Sequence, residues 1–259
     1  PSNGACMTLI KIGGRPLSDP SSLELLVDEL HTQQQGESLV VVHGGGNEVT
    51  TLSARLGVET RFKDGIRLTS PAEMELVAMV LAGKMNTLLV RRLVARGILA
   101  VGLSGCDAGL IRGRALEKES RTGEAVAVEP ELVELLAHSG YLPVCSSVAA
   151  DGEGEPLNIN ADEAALALAV ALKADRLIFL ADVPGILKAE KVIPRLNAAE
   201  AEQEILKGTI SGGMIPKVRA SFAGLEKGLG EVVIGGVSRS GELAALINGA
   251  GTHLCREIA

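Results

Sequence analysis

Two glycine runs and a few charged side chains are the places where this sequence could do chemistry. Leu39, Val40, Val41 and Val42 form a short apolar run that reads as a buried strand. His43 and three glycines, Gly44, Gly45 and Gly46, follow it, and Asn47 then opens a helical pattern. Consecutive glycines let a backbone approach a ligand in conformations that other residues resist. A helix that starts there aims unpaired N–H groups and its positive dipole end at the same spot. The product is a cradle for an anion, most naturally a phosphate, although a glycine run taken alone also reads as a tight turn. Nearer the N-terminus, Leu9-Ile10-Lys11-Ile12-Gly13-Gly14 repeats the order of strand and glycines, now with a lysine inside the strand. A lysine among apolar strand residues is costly to bury without an anionic partner.

Strands alternating with helices supply the elements that must hold these residues. Thr8 to Ile12 is the first strand, and Asp19 with Pro20 starts a helix whose Leu23, Leu26, Val27 and Leu30 share a face. After the glycine loop, a helix from about Asn47 to Leu56 turns Leu52 and Leu56 inward. Phe62 to Thr69 has the mixed polarity of a hairpin or an ordered loop. Ser70-Pro71-Ala72-Glu73 opens a long helix, with Ser70 as cap, Pro71 at the first position and Glu73 as capping-box partner. That helix can run to Arg96, and its apolar residues cover more than one face, which reads as a doubly buried core helix or, better in a chain of this size, as a subunit interface. Further strands are expected at Ala100 to Leu103, Leu142 to Ser147, Leu177 to Ala181, Glu231 to Ile234 and Thr252 to Cys255. Helices are expected at Glu131 to Ser139, Ala161 to Ala174, Ala198 to Lys207, Met214 to Lys227 and Gly241 to Ile247. This alternation predicts an α/β fold, a three-layer α/β/α sandwich on a mainly parallel sheet of about eight strands. Ligands in such folds sit beyond the carboxyl ends of strands, where both glycine loops fall.

Composition removes several function classes. The 259 residues are 46% hydrophobic and 22% charged, in the range of a globular protein. Aromatic residues make up only 2%, so base stacking on a nucleic acid has no material, and a net charge of −7 disfavours nucleic acid or an anionic membrane. The four cysteines, Cys6, Cys106, Cys145 and Cys255, have no C-x-x-C spacing and read as reduced thiols. No apolar stretch reaches the ~20 residues of a membrane span. A cytoplasmic protein with no protein-held metal is expected, and the residues before Met7 read as a short disordered leader or an added remnant.

Neither glycine loop has the G-x-G-x-x-G or the G-x-x-x-x-G-K-[ST] spacing, and no nucleophile elbow or H-E-x-x-H is present. What remains is Lys11 with Gly13 and Gly14, Gly44 to Gly46, Arg67, the segment Asn158-Ile159-Asn160-Ala161-Asp162, Asp182-Val183-Pro184-Gly185, and Gly212-Gly213-Met214-Ile215-Pro216-Lys217. From Thr8 onward this set, in this order, resembles the amino-acid kinase family, and within it the branch that phosphorylates the side-chain carboxylate of N-acetyl-L-glutamate in arginine biosynthesis. Aspartate kinases open with K-F-G-G and carry extra domains, whereas this chain has Lys11-Ile12-Gly13-Gly14-Arg15. Uridylate and carbamate kinases lack the G-I-R and N-x-N-A-D segments.

The resemblance implies roles. Lys11 and Lys217 would touch the transferring phosphoryl from two sides, with Asp162 between them as their organiser. Taken alone, Lys217 also reads as a surface lysine and Asp162 as a helix cap. Gly44, Gly45, Gly46, Arg67, Asn158 and Asn160 would bind the acyl-amino acid, Arg67 as a two-pronged carboxylate clamp. Gly13, Gly14, Asp182, Val183, Gly185, Ile186, Leu187, Thr209, Ile210, Ser211 and Met214 would bind ATP, with Mg²⁺ on its phosphates. A carboxylate is already a nucleophile, so no general base is needed, and His43 reads as structural. Residues 1–173 would form the substrate and dimerisation lobe and 174–259 the ATP lobe. Arginine-inhibited relatives carry an N-terminal helix that links dimers into hexamers; Pro1 and Gly4 are poor helix material, so an arginine-insensitive homodimer is expected. The alternatives are a kinase acting on a carrier-linked aminoadipate or glutamate, and a non-catalytic sensor, which would be expected to have lost Lys11, Asp162 or Lys217.

Overall fold

Side-chain alternation along two central strands sets the layers. In β1 (Met7–Ile12), Leu9 joins one buried cluster while Ile10 and Ile12 join another on the opposite side. In β2 (Ser38–His43), Val40 and Val42 face the first cluster and Leu39 and Val41 the second. Successive strand residues point to opposite faces, so a strand apolar on both faces must be covered on both. Helices Glu131–His138, Ala161–Ala171 and Met214–Glu226 supply the first cover. Pro20–Gln33, the helical run from Pro71 to Val94, and Glu242–Ile247 supply the second.

The structure, a computed structural model, describes residues 6–63 and 65–256. The expected leader therefore lies, Cys6 apart, outside the described residues. The sheet is completed by β3 (Ala100–Ser104), β4 (Leu142–Ser146), β5 (Arg176–Leu180), β6 (Arg195–Leu196), β7 (Glu231–Gly235) and β8 (Thr252–Leu254). Its order is β6-β8-β7-β5-β1-β2-β4-β3. Neighbours run parallel except β8, which is antiparallel to β7. This is the predicted three-layer α/β sandwich with a mainly parallel eight-stranded sheet. Among the described residues no helix is long and apolar enough to cross a membrane.

Several helix starts follow the local chemistry. Asp19 accepts the Ser22 N–H and Pro20 opens the helix; Asn160 accepts the Asp162 N–H at the head of Ala161–Ala171. Other expectations need correction. The helix predicted from Ser70 to Arg96 is three segments, α-helix Pro71–Ala78, π-helix Met79–Met85 and α-helix Asn86–Val94. Leu56, expected inward, is 59% exposed in the last turn before the left-handed Gly57, while Val49 and Ser53 are buried. Four short strands, Ile111–Ala115, Thr122–Val128, Val148–Ala150 and Pro156–Ile159, close into a small barrel that carries Asn158. Phe62–Lys63 pairs with Ile66–Arg67 as a hairpin.

Candidate functional site

Lys11 leaves β1 on the face that Leu9 occupies, toward the Ala161–Ala171 helix. There its Nζ lies 2.8 Å from Asp162 Oδ1. Lys217, in the first turn of Met214–Glu226, approaches from the other side and puts its Nζ 3.1 Å from Asp162 Oδ2. One carboxylate thus spaces two ammonium groups, each mostly buried. The floor is Phe179, which pairs with Lys11 across β1 and β5, and Lys217 Nζ stands 4.9 Å from its ring centroid. Burial of Asp162 works to raise its pKa, but Lys11 and Lys217 outweigh it and hold the carboxyl below its usual range. The glycines beside it leave the space: a Cβ on Gly13 would come within 2.5 Å of Lys11 Nζ. Two like charges and one counter-charge leave a net positive centre at the carboxyl ends of β1 and β2, suited to a phosphoryl group.

A cavity of about 220 Å³ adjoins this centre, lined by Gly44, Gly45, Gly46, Arg67, Asn158 and Asn160 among others. All six residues expected to bind the acyl-amino acid are therefore brought together. Gly45 takes φ +151°, and a Cβ there would lie 2.9 Å from Leu81 and 3.1 Å from Met85 of the π segment. The loop is thus seated on those two side chains. Asn158 donates from Nδ2 to Thr69 Oγ1 at 2.8 Å, and Thr69 N–H in turn donates to Thr122 Oγ1.

Arg67 is held in a way the sequence does not suggest. Its Nη1 donates to Glu73 Oε1 at 2.5 Å and its Nη2 to the Gly46 carbonyl at 2.9 Å and Thr50 Oγ1 at 2.8 Å. The Phe62 ring centroid lies 4.8 Å from Cζ. The terminal nitrogens of the expected clamp are thus already engaged within the chain. Glu73, expected to close a capping box, gives only its backbone N–H to Ser70 Oγ; its side chain takes Arg67 and the Thr60 hydroxyl.

The residues expected around the nucleotide follow β1 (Gly13, Gly14), follow β5 (Asp182 to Leu187) and lead into Met214–Glu226 (Thr209 to Met214). Asp182 follows β5 and lies beside Gly14: a Cβ on that glycine, at φ +60°, would be 3.3 Å from Asp182 Oδ2. Ile186 is buried and donates its N–H to Thr252 Oγ1, while Val183 and Leu187 are partly exposed. Ile210 is buried between Thr209 and Ser211, and Met214 N–H donates to the Ser211 carbonyl. Nearby, Glu204 takes Lys188 at 2.8 Å and Lys207 at 3.2 Å. Hydrogen bonds from Lys188 and then Thr209 pull its pKa down to about 2.

His43 is a structural residue. Burial pushes its pKa down to about 4, against the Gly44 contact that raises it. Its Nδ1 is 2.9 Å from the Gly44 carbonyl and its Nε2 is 3.1 Å from Asn86 Nδ2. In the matching tautomer, Nδ1–H donates to Gly44 and Nε2 accepts from Asn86. Asn86 also donates to the Val144 carbonyl, tying β2, β4 and the helix together. The sequence does not mark Glu73, Thr50, Thr69 or Phe179 as site residues; Glu73 reads there only as a capping-box partner. Glu73 and Thr50 carry no local sign of their partner, whereas Phe179, one of only three phenylalanines, stands out in a chain so poor in aromatics.

Comparison with known proteins adds an independent line. The profile described as Amino acid kinase family matches residues 7–236. An acetylglutamate kinase of Chloroflexus aurantiacus is 42% identical over 236 residues, covering 88% of this chain and 91% of its own length. Among solved structures, an N-acetylglutamate synthase of Neisseria gonorrhoeae, complexed with coenzyme A and N-acetyl-glutamate, superimposes with TM-score 0.84 at 22% identity, over 99% of this chain and 61% of that one. A carbamate kinase of Giardia lamblia bound to AMP-PNP gives TM-score 0.71 at 17% identity, over 98% and 99%.

Proposed function

The chain belongs to the amino acid kinase family, and from that premise we propose that it uses ATP to phosphorylate the side-chain carboxylate of N-acetyl-L-glutamate, giving N-acetyl-L-glutamyl 5-phosphate for arginine biosynthesis. The relative at 42% identity across nearly all of both chains supports this substrate. The observation that carries the chemistry is the Lys11–Asp162–Lys217 arrangement beside a small polar cavity. A substrate carboxylate oxygen attacks the γ-phosphorus as the bond to the β,γ-bridging oxygen breaks, and ADP leaves with that electron pair. The nucleophile is ionised at neutral pH, so no proton has to be removed. Catalysis is then positioning and charge stabilisation. Lys11 and Lys217 donate to the equatorial oxygens of the moving group, and Asp162, kept ionised, fixes the distance between them. Gly44 to Gly46, Arg67, Asn158 and Asn160 hold the acyl-amino acid so that its side-chain carboxylate faces the two lysines.

The reading places ATP along Gly13, Gly14, Asp182 to Leu187 and Thr209 to Met214, in a C-terminal lobe from residue 174. Mg²⁺ is assigned to the ATP phosphates, where it neutralises oxygens of the transferring end. A cytoplasmic homodimer completes the reading, its subunits joined along the helical run that includes Met79 and Val94. The test is kcat/KM with ATP across N-acetyl-L-glutamate, L-glutamate and L-aspartate. A free α-amine is cationic and would enter a site fitted to a neutral acetamido group, so glutamate should be poorer by as much as ~10⁴. Equal use of glutamate and its N-acetyl form would remove the substrate assignment.

A further inference from the structure

Arg67 and Glu73 form an ion pair whose side chains are only 7% and 0% exposed. A buried pair of this kind is a poor source of stability, because desolvation offsets most of the attraction. Here the offset is larger than usual: Glu73 Oε2 is buried with no hydrogen-bond partner. The helix also forgoes a capping-box bond to send this carboxylate inward. A position that only had to fill the core would be better served by an apolar side chain. The guanidinium it meets is fixed on every other side. Thr50 and the Gly46 carbonyl hold Nη2, Thr60 lies 3.3 Å from Nη1, and Cζ stands 4.8 Å from the Phe62 ring centroid. What Arg67 still faces is the cavity.

We propose that Glu73 is a positioning residue for substrate recognition: it fixes the orientation of the Arg67 guanidinium, and so sets the affinity of the cavity for the substrate's carboxylate without touching the substrate. This rests on the reading of that cavity as the acyl-amino-acid site. The pair also makes this end of the cavity electrically neutral overall. The Nη hydrogens are all given within the chain, so the substrate carboxylate is met by exchanging the Thr50 contact of Nη2 while Glu73 keeps Nη1 in place, and the net positive charge is reserved for Lys11 and Lys217 at the phosphoryl position.

The experiment is steady-state kinetics and calorimetric binding of N-acetyl-L-glutamate for Glu73→Ala, Glu73→Gln, Arg67→Lys and the Arg67→Lys/Glu73→Ala double variant. Glu73→Ala removes the charged partner of Nη1 and leaves that nitrogen with the Thr60 hydroxyl at 3.3 Å, so KM and Kd for N-acetyl-L-glutamate should rise about tenfold, the equivalent of one oriented charge-assisted hydrogen bond. The kcat and the KM for ATP should move far less, because Glu73 acts on neither the phosphoryl group nor the nucleotide. Glu73→Gln keeps the volume and the Oε1 acceptor, so it should fold even if the alanine variant does not, and its KM should fall between wild type and alanine. In the double variant, Glu73→Ala should add little to the KM of Arg67→Lys, since it acts through Arg67. A lowered melting temperature with unchanged KM and Kd in both Glu73 variants would make the pair a brace only and overturn the proposal. Full additivity in the double variant would do the same. If wild type neither binds nor phosphorylates N-acetyl-L-glutamate, the site assignment falls and this inference with it. If wild type phosphorylates N-acetyl-L-glutamate and Arg67→Lys raises its KM, because the planar fork is lost, but the Glu73 variants leave it unchanged, this inference alone falls.

Discussion

Lys11 and Lys217 share one carboxylate, so the three residues should fail in distinguishable ways. In the proposed transfer, each ammonium is needed most when charge spreads over the moving phosphoryl group. Lys11→Ala and Lys217→Ala should therefore each lower kcat by about 10²–10³ while changing KM much less. Near-normal turnover in either variant would remove that lysine from the mechanism. Asp162→Asn leaves the two ammonium groups facing each other without a counter-charge. His43 makes a different prediction. Its folded pKa, about 4, lies below the ordinary 6.5 because the ring is buried. The unfolded chain takes up the proton as pH falls through 6.5, whereas the folded chain does not until about pH 4. The unfolded state binds more protons in that window, so stability is full above pH 6.5 and declines as pH drops toward 4. The loss attributable to His43 should be about 2 kcal/mol at pH 5. Denaturant titrations of wild type and His43→Gln at pH 7 and pH 5 measure it. An equal loss in both proteins would mean that another group carries the dependence.

The elements that position these residues were legible to different degrees, for physical reasons. Helices with a cap and an apolar face, such as Pro20–Gln33 with Asp19, could be read because the signal is local. The five inner strands of the parallel sheet were visible as apolar runs ending in glycine or a turn. The hairpin Leu187–Lys188 with Lys191–Val192 and the two-residue strand β6 are too short to show any periodicity. That β8 pairs antiparallel depends on a distant partner, β7, and no property of Thr252–Leu254 announces it. The π segment was hidden because Met79–Met85 continues the apolar pattern of the helices on either side, and no residue in it announces a wider turn. Within the site, Lys11 could be noticed as a charge inside a strand, but the Arg67–Glu73 pair could not, since Glu73 had a sufficient local explanation at the helix start. The fit of the loop on the π segment yields a test. Gly45→Ala puts a methyl within 2.9 Å of Leu81 at a φ of +151° that alanine resists. It should lower unfolding free energy by about 1–3 kcal/mol and weaken N-acetyl-L-glutamate binding. Unchanged values in calorimetry and substrate titration would show that the loop has room to shift.

At the scale of the whole molecule, the helical run from Pro71 to Val94 has a buried face and an exposed one. One face is core: Met74, Val77, Val80, Met85, Leu89 and Leu93 are buried against the sheet. Met79 remains 61% exposed and Val94 52% exposed, and Leu99 just beyond is also exposed. Isolated exposed apolar residues are ordinary on any surface. These three lie on one element and its extension, and the same element carries Leu81 and Met85 under the glycine loop. A second copy packed along it would steady the floor of the cavity from outside, linking assembly to the site. The proposed homodimer should therefore sediment at about twice 26.8 kDa at micromolar concentration, as interfaces of standard size allow. Charged substitutions at Met79 and Val94 together should shift it toward monomer and raise KM for N-acetyl-L-glutamate in step with the monomer fraction. A wild-type protein that sediments as a monomer over that range would remove the dimer. A charge variant that stays dimeric would move the interface to another surface. A dimer that dissociates with no change in KM would keep the interface but cut its link to the cavity.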